Sequence, residues 1–535
     1  MIGGVMVFRA LTILLALALA PVSAQADDND TRPHLRPHGD TQQLIVDGAP
    51  FLILGGELGN STASDLDALD ATWPTLDTLN LNTLLAPVYW ELIEPVEGEF
   101  DFALVDGLLE QARAHDMRVV ILWFASWKNS MSSDAPAWVK RDGERFPRAR
   151  GEDGRAQEIL SPFSDASLDA DRRAFTALMA HLAEVDRQHT VIMVQIENEI
   201  GMLPNARDYS AVANTAFAEP VPDPVLAARD RSGETGSWTD VFGASDVTDE
   251  MFMAWHFARY VDAIAMAGQA EHDLPMFVNA ALNRPGHSPG QYPSAGPLPH
   301  LFDIWQAGAP SLNFLAPDIY FPDFTDRISA FRTTDNPLFI PEANRAGRAE
   351  APADALFAFG ALDAIGFSPF SIENTPSPET SLLGRTYSRL AVMSALLMEH
   401  QGHDTLTGFR PPVSHDGTPD LSDQSVAMGD YTITVRFIDP WTPRDAQTPQ
   451  THGGLIIQTG PEEFLVLGHG VTLTFQSNLH PGAIAGIDQI REGQFVDGEF
   501  VGARILNGDE SHQGRHLRLP PGEIGLQRLR LYSYD

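Results

Sequence analysis

The stretch DADRRAFTALMAHLAEVDRQHTVIMVQIENE, residues 169–199, carries two patterns in succession. Up to Val185 the apolar residues recur at roughly helical spacing. From Val191 to Ile196 they form a short, partly β-branched run that closes on Glu197-Asn198-Glu199. The first pattern reads as an amphipathic helix, the second as a strand buried on both faces of a parallel sheet. Working outward, comparable apolar runs occur at Phe51–Gly55, Thr83–Tyr89 and Val119–Phe124 on one side. Met276–Asn279, Phe314–Ile319, Leu338–Ile340 and Phe367–Ile372 follow on the other. Helix-like stretches at Phe102–Ala114, Glu250–Gly268 and Ala351–Ala364 lie between them. Eight strand candidates, each with room for a helix behind it, predict an α/β fold, a (β/α)8 TIM barrel. The long connections Lys128–Asp165 and Pro204–Thr248 are expected over the face where the strands end. Residues 203–248 show no clear period and read as a lid or a surface loop.

Beyond about Gly402 the texture changes. Tyr431–Phe437 alternates as YTITVRF, and Leu455–Gln458, Glu463–Leu467, Thr472–Gln476, Phe495–Phe500 and Leu526–Tyr532 are further strand-like pieces between Gly, Asn, Asp and Pro residues. This predicts a smaller C-terminal all-β sandwich or jelly roll over residues 402–535, after a barrel over residues 27–401. No exposed aromatic cluster stands out there, so the second domain reads as a buttress rather than a sugar-binding module.

At the other end, Arg9 precedes an apolar run from Ala10 to Ala20, Pro21 breaks it, and Ala24-Gln25-Ala26 follows. The run is too short to span a bilayer, so residues 1–26 read as a cleaved signal peptide and the protein as periplasmic or secreted. A polar stretch from Asp27 to Gln42 reads as loose.

A chain of 535 residues, 43% of them hydrophobic, is too long for one ordinary core. Its net charge is −37, and Lys128 and Lys140 are its two lysines. Such a chain repels phosphate backbones and anionic lipid, so neither nucleic acid nor a membrane surface is an expected partner. A neutral oligosaccharide meets no such penalty. With no cysteine at all, disulfides, thiolate nucleophiles and cysteinyl metal centres are excluded. No cofactor or metal site is legible. His34 and His38 flank Pro37, which argues against a helical metal pair, and Glu57 within Gly55-Gly56-Glu57-Leu58-Gly59 would face a dinucleotide pyrophosphate. Oligomeric state is not legible either.

The chemistry lies at two strand ends. Glu199 closes the fourth apolar run, and Leu338-Phe339-Ile340-Pro341-Glu342 closes the seventh on another carboxylate. In a barrel those ends point into the active site, and strands four and seven face each other across its mouth. Period-two alternation would put Glu197 and Glu199 on one face, with Glu197 deeper in a hydrogen-bond network. Two opposed carboxylates are what glycosidic cleavage requires, one protonated and one ionised. The bare pair does not say which is which. Asn198 could offer its amide to a sugar hydroxyl. Tyr89, Trp90, Trp123, Trp127 and Tyr320 lie near strand ends, where rings can stack on a pyranose or simply pack in the core. Glu57, Asn279 and Glu373 are candidate hydroxyl binders by position. The candidate substrate-binding set is thus Asn198, Glu57, Tyr89, Trp127, Asn279, Tyr320 and Glu373.

The segment Gln195-Ile196-Glu197-Asn198-Glu199 with Gly201 resembles the acid/base motif of family 35 glycoside hydrolases, β-galactosidases of the large barrel clan (clan A). Tyr89-Trp90-Glu91, Glu94-Pro95, Gly98 and Phe100-Asp101-Phe102 resemble that family's second-strand segment, and Pro136-Ala137-Trp138 its loop after strand three. The matches fall in the family's order and the resemblance covers roughly residues 42–400. It implies Glu199 as proton donor, Glu342 as nucleophile and retention of configuration. Departures fall on recognition positions. Leu54-Gly55-Gly56-Glu57 stands where the family shows Ser-Gly-x-x-His, Phe124-Ala125-Ser126-Trp127 replaces its Asn- or Cys-Ala-Glu, and Ile200 replaces a Tyr. The chain is identified as a divergent bacterial branch with an appended β domain. The activity this implies is exo-cleavage of terminal β-galactosides, with plant cell-wall oligosaccharides as substrates. Other clan activities (β-mannosidase, β-glucosidase, α-arabinosidase) share the two glutamates, and a non-catalytic carbohydrate-binding protein is the rival from another class.

Overall fold

Strands one (Ile53–Glu57), two (Thr83–Tyr89), three (Arg118–Phe124) and four (Val191–Ile196) are followed by five (Met276–Ala281), six (Phe314–Ile319), seven (Phe339–Ala343) and eight (Gly366–Pro369). In the computed structural model, which describes Met1 and residues 31–535, they follow one another in chain order around a closed parallel barrel. Strand eight pairs back onto strand one through Gly366 and Ile53. Of all these strand residues only Arg118 and Ala281, each at a strand end, are partly exposed. Helices outside and packed side chains inside cover both faces, which is why the runs are continuously apolar rather than alternating. The helix Asp165–Val185, capped by Ser164, packs against the long helix Asp246–Glu271 behind strand four. It buries Phe175, Leu178, Met179 and Leu182 there, each contributing about 1.5–3 kcal/mol by leaving water.

Two irregular-looking stretches are ordered. Residues 203–248 hold three short helices, Ala211–Ala218, Asp223–Ala228 and Trp238–Phe242, too brief to show a period in sequence. The stretch expected to be loose instead forms an antiparallel pair, His34–His38 with Thr41–Val46. Gln43 fastens it by donating to the Met398 carbonyl at 2.6 Å, and Asp40 N–H donates to the Gly402 carbonyl at 3.1 Å. The expected signal peptide, Met1 apart, falls outside the described residues up to Ala26. Among the described residues no helix is long and apolar enough to cross a membrane.

After the helix Leu382–His400 the chain builds two antiparallel sheets. The larger has six strands and begins with Leu406–Phe409; the smaller has four and includes Tyr431–Arg436. Ile433, Val435, Leu473, Ile456, Phe464, Val466 and Leu529 form a core between them, separate from that of the barrel. Alternation shows in Tyr431–Arg436, where buried and partly exposed residues take turns. Contrary to expectation, an aromatic group stands on this domain's surface: Trp441, nearly half exposed, beside the rings of His512 and His516.

Candidate active site

Strand four ends at Ile196, and the next three residues leave the sheet. Glu197 and Glu199 both adopt left-handed backbone angles, φ +58° and +44°, which non-glycine residues keep only where neighbours hold them. Glu197 Oε2 accepts from the Trp127 N–H at 2.8 Å, and the Asn198 N–H donates to the Trp127 carbonyl at 3.1 Å. The Glu199 N–H donates to Asn279 Oδ1 at 2.8 Å. Period-two alternation therefore does not apply, and the expectation that Glu197 and Glu199 share a face is corrected. Glu197 turns outward to Asp171 on the helix behind the barrel wall, while Glu199 turns to Glu342. Asp171 also accepts from Trp123 Nε1 at 3.0 Å and from the Ser126 hydroxyl, which lies 2.9 Å from Tyr260 Oη. Burial, reinforced by the Asp171 charge, pushes Glu197 well above the usual carboxyl range, so the two acids hold a proton between them. This buried network fixes the turn that aims Glu199.

Glu342 is aimed by a different device. The ladder between strands seven and eight slips between Ile340 and Ala343. Pro341 has no N–H to give to a ladder, and the slip makes a bulge at Pro341–Glu342. Asp318, on strand six, lies beside Glu342 in register. One oxygen from each of Glu199, Asp318 and Glu342 lies within 4.8 Å of the others. Asn279, on strand five, braces them: its amide donates to Asn198 Oδ1 at 2.9 Å and to Asp318 Oδ2 at 2.6 Å. The Asn198 amide in turn donates to the Lys128 carbonyl at 2.9 Å.

So many acids in one buried cleft cannot all ionise. Burial, then the Glu342 charge, raises Glu199 to about 7, with Lys128 opposing. Glu57 is pushed well above its ordinary value by burial and by Glu342, so it keeps its proton and donates it in a hydrogen bond to Glu342. Asp318 is raised in the same way, by burial and then by the Glu342 charge. Burial raises Glu342 as well, but the Tyr320 hydroxyl, the Lys128 charge and the Glu57 hydrogen bond all favour its ionised form. The arrangement thus favours one carboxylate, Glu342, surrounded by groups that carry protons. The three converging oxygens of Glu199, Asp318 and Glu342 could also accept a hard cation.

The structure brings Glu57, Asn198, Glu199, Asn279, Tyr320 and Glu342 together at the mouth. Three other candidate sugar binders are engaged elsewhere, which corrects their assignment. The Trp127 ring is fully buried against Phe257 and Tyr260, and only its backbone serves the site. The Tyr89 hydroxyl donates to the Asn60 carbonyl at 2.7 Å. Glu373 accepts from Thr62 Oγ1 at 2.6 Å and from the Gly59 N–H at 3.0 Å, pinning loop eight to loop one. Trp90 and Trp123 are likewise fully buried. Sequence reasoning missed Asp318 and Lys128. The signals were there: a carboxylate inside the apolar run Phe314–Ile319, and one of two lysines one residue beyond Trp127.

Two family models match the chain. One, described as β-galactosidase of glycoside hydrolase family 42, covers residues 70–229; the other, a domain of unknown function (DUF5597), covers residues 383–518. The matching glycosidase model is thus of family 42, where the motifs read as family 35. A curated β-galactosidase from Xanthomonas manihotis is 30% identical over 208 residues, 37% of this chain and 31% of that protein. The chain thus matches about a third of the length of that relative. Among solved structures, the polyextremophilic β-galactosidase of the Antarctic haloarchaeon Halorubrum lacusprofundi is similar with a TM-score of 0.46 and 16% identity, covering 64% of this chain and 58% of that one. The β-galactosidase of Bacillus circulans sp. alkalophilus also gives 0.46, at 12% identity over 65% of this chain and 57% of that one.

Proposed function

We propose that this protein is an exported, retaining exo-β-galactosidase that removes terminal β-galactose from plant cell-wall oligosaccharides, with Glu199 as acid/base and Glu342 as nucleophile. The observation that carries the reading is the asymmetry between the two glutamates. Glu342 receives hydrogen bonds from Tyr320 and Glu57 that favour its anion, while Glu199 is raised to about 7 and holds a proton near neutrality. That is the division a double displacement needs: an ionised nucleophile, and an acid that protonates the leaving oxygen and then, as a base, activates water.

Spacing supports retention. Oxygens of Glu199 and Glu342 within 4.8 Å of each other suit direct attack on the anomeric carbon. Inverting enzymes hold the two carboxyl groups about 6.5–9.5 Å apart to admit a water. Asp318 Oδ1 is buried without a hydrogen-bond partner among the described residues, and a sugar hydroxyl would satisfy it. The choice of galactose draws on the family-42 β-galactosidase model over residues 70–229, the Xanthomonas relative and the family-35-like motifs. Export draws on the N-terminal sequence.

A panel of aryl glycosides, with the first-formed anomer followed by NMR, tests the reading. Release of aryl alcohol from the β-galactoside with β-galactose appearing first is expected. Preference for the mannoside, glucoside or arabinoside would move the protein to another activity of the clan, and no release from any substrate would leave a carbohydrate-binding protein.

A further inference from the structure

Beside Tyr320, between the barrel and the C-terminal domain, lies a cavity of about 220 Å³. Its barrel wall comes from the loops after strands six and seven, including Tyr320, Phe321, Asn344 and Arg348. The opposite wall comes from the C-terminal domain, through Arg410 and Gln450. Neither domain alone encloses it. Arg410 fixes the junction: it is buried, pairs with Asp354 in the first turn of the helix Ala351–Ala361, and lies 5.5 Å over the Phe324 ring.

The lining is suited to a neutral, hydroxyl-rich ligand. The side-chain amides of Gln450 and Asn344 make no hydrogen bond within the described residues, apart from Asn344 Oδ1 accepting from the Arg345 N–H. Arg348 is over half exposed and meets only Glu350, at 3.7 Å. These groups offer donors and acceptors beside aromatic surface, the mixture that sugars take. Tyr320 touches both compartments: it lines the cavity and its hydroxyl donates to Glu342.

We propose that this cavity is a subsite for a second sugar of the substrate, so that the C-terminal domain takes part in recognising oligosaccharides. The inference rests on the exo-glycosidase reading. An exo-acting enzyme holds the terminal sugar between its two glutamates, so every other sugar lies on the leaving-group side and needs its own contacts. A site shared by two domains then reads the length of the substrate as well as its end.

The test is a ratio: kcat/KM for a galactose-terminated oligosaccharide divided by kcat/KM for an aryl β-galactoside, measured on the full chain. Gln450→Trp fills the cavity from the C-terminal domain, and Arg348→Ala removes an exposed donor that the packing does not use. Each is expected to lower the ratio roughly tenfold, the worth of one or two hydrogen bonds to charged or polar groups. A ratio unchanged in both variants overturns the proposal, including the case in which both substrates slow equally through damaged folding. If the wild type cleaves a different aryl glycoside, the activity reading fails and the ratio is taken with oligosaccharides ending in that sugar. If it cleaves none, calorimetric titration of wild type and Gln450→Trp with the galactose-terminated oligosaccharide decides: weaker binding by the variant supports the subsite, and equal or absent binding overturns it.

Discussion

The hydroxyl of Tyr320, at the end of strand six, donates a hydrogen bond to the carboxylate of Glu342 on strand seven. It favours the ionised form of Glu342. In Tyr320→Phe the Glu342 pKa should therefore rise, and the acid limb of the kcat/KM profile should move to higher pH. The rate below that limb should fall with it. A hydrogen bond to a charged group is worth about 1.5–3 kcal/mol, so the loss in kcat/KM should be about 10–150-fold. An acid limb that stays in place would separate Tyr320 from the ionisation of Glu342.

The assignment of roles is tested by rescue. Glu342→Gly removes the proposed nucleophile, and azide filling the space should give an α-galactosyl azide from an activated substrate. Glu199→Ala should slow substrates with poor leaving groups by ~10²–10⁴-fold and nearly spare the glycosylation step of dinitrophenyl galactosides. With azide it should give the β-product. The opposite pairing of mutants and anomers would exchange the roles of the two glutamates.

Glu199 must carry a proton to act as acid, and its pKa is raised to about 7 by burial and by the Glu342 charge. The alkaline limb of kcat/KM should then lie near pH 7 for alkyl or oligosaccharide galactosides. For dinitrophenyl galactosides, which need little protonation, that limb should flatten. A profile with the same alkaline limb on both substrates would assign it to another group.

The same shift has a stability consequence. A carboxyl group whose folded pKa lies above its unfolded value stabilises the fold below the unfolded pKa, and that contribution is lost as pH rises through the folded pKa. For Glu199 the window runs from its ordinary value near 4.5 to about 7. Glu199→Gln, which cannot ionise, should raise Tm at pH 8 relative to wild type and change it little at pH 4. Each kcal/mol relieved should be worth about 1 °C in a chain of this size. Thermal melts at the two pH values check this; an equal effect at both would remove ionisation as the cause.

Glu199, Asp318 and Glu342 form the one acidic trio among the described residues close enough to share a cation. Protons on Glu199 and Asp318, with hydrogen bonds from Tyr320 and Asn279, already balance that charge. Prolonged chelation should therefore leave kcat unchanged. Loss of activity restored by a divalent cation would show that the trio is a metal site.

The barrel was legible in the chain because a parallel strand covered on both faces has to be apolar throughout, and that is a local signal. Eight such runs in alternation with helices admit few arrangements, and glutamates closing the fourth and seventh put two acids at one mouth. The C-terminal sandwich announced itself through alternation in Tyr431–Arg436. Contacts between distant residues decided the rest. Glu197 points away from the mouth because Trp127, 70 residues earlier, takes its carboxylate; Glu199 is held by Asn279, 80 residues later. Trp127 could not be recognised as a backbone donor with a buried ring, nor Asp318 as a third acid in the cleft, without the helices and strands that surround them. Which glutamate gives the proton and which attacks depends on burial, on Tyr320 and on Glu57. A pKa is set by everything near the group in space, and the order of residues along the chain does not record that.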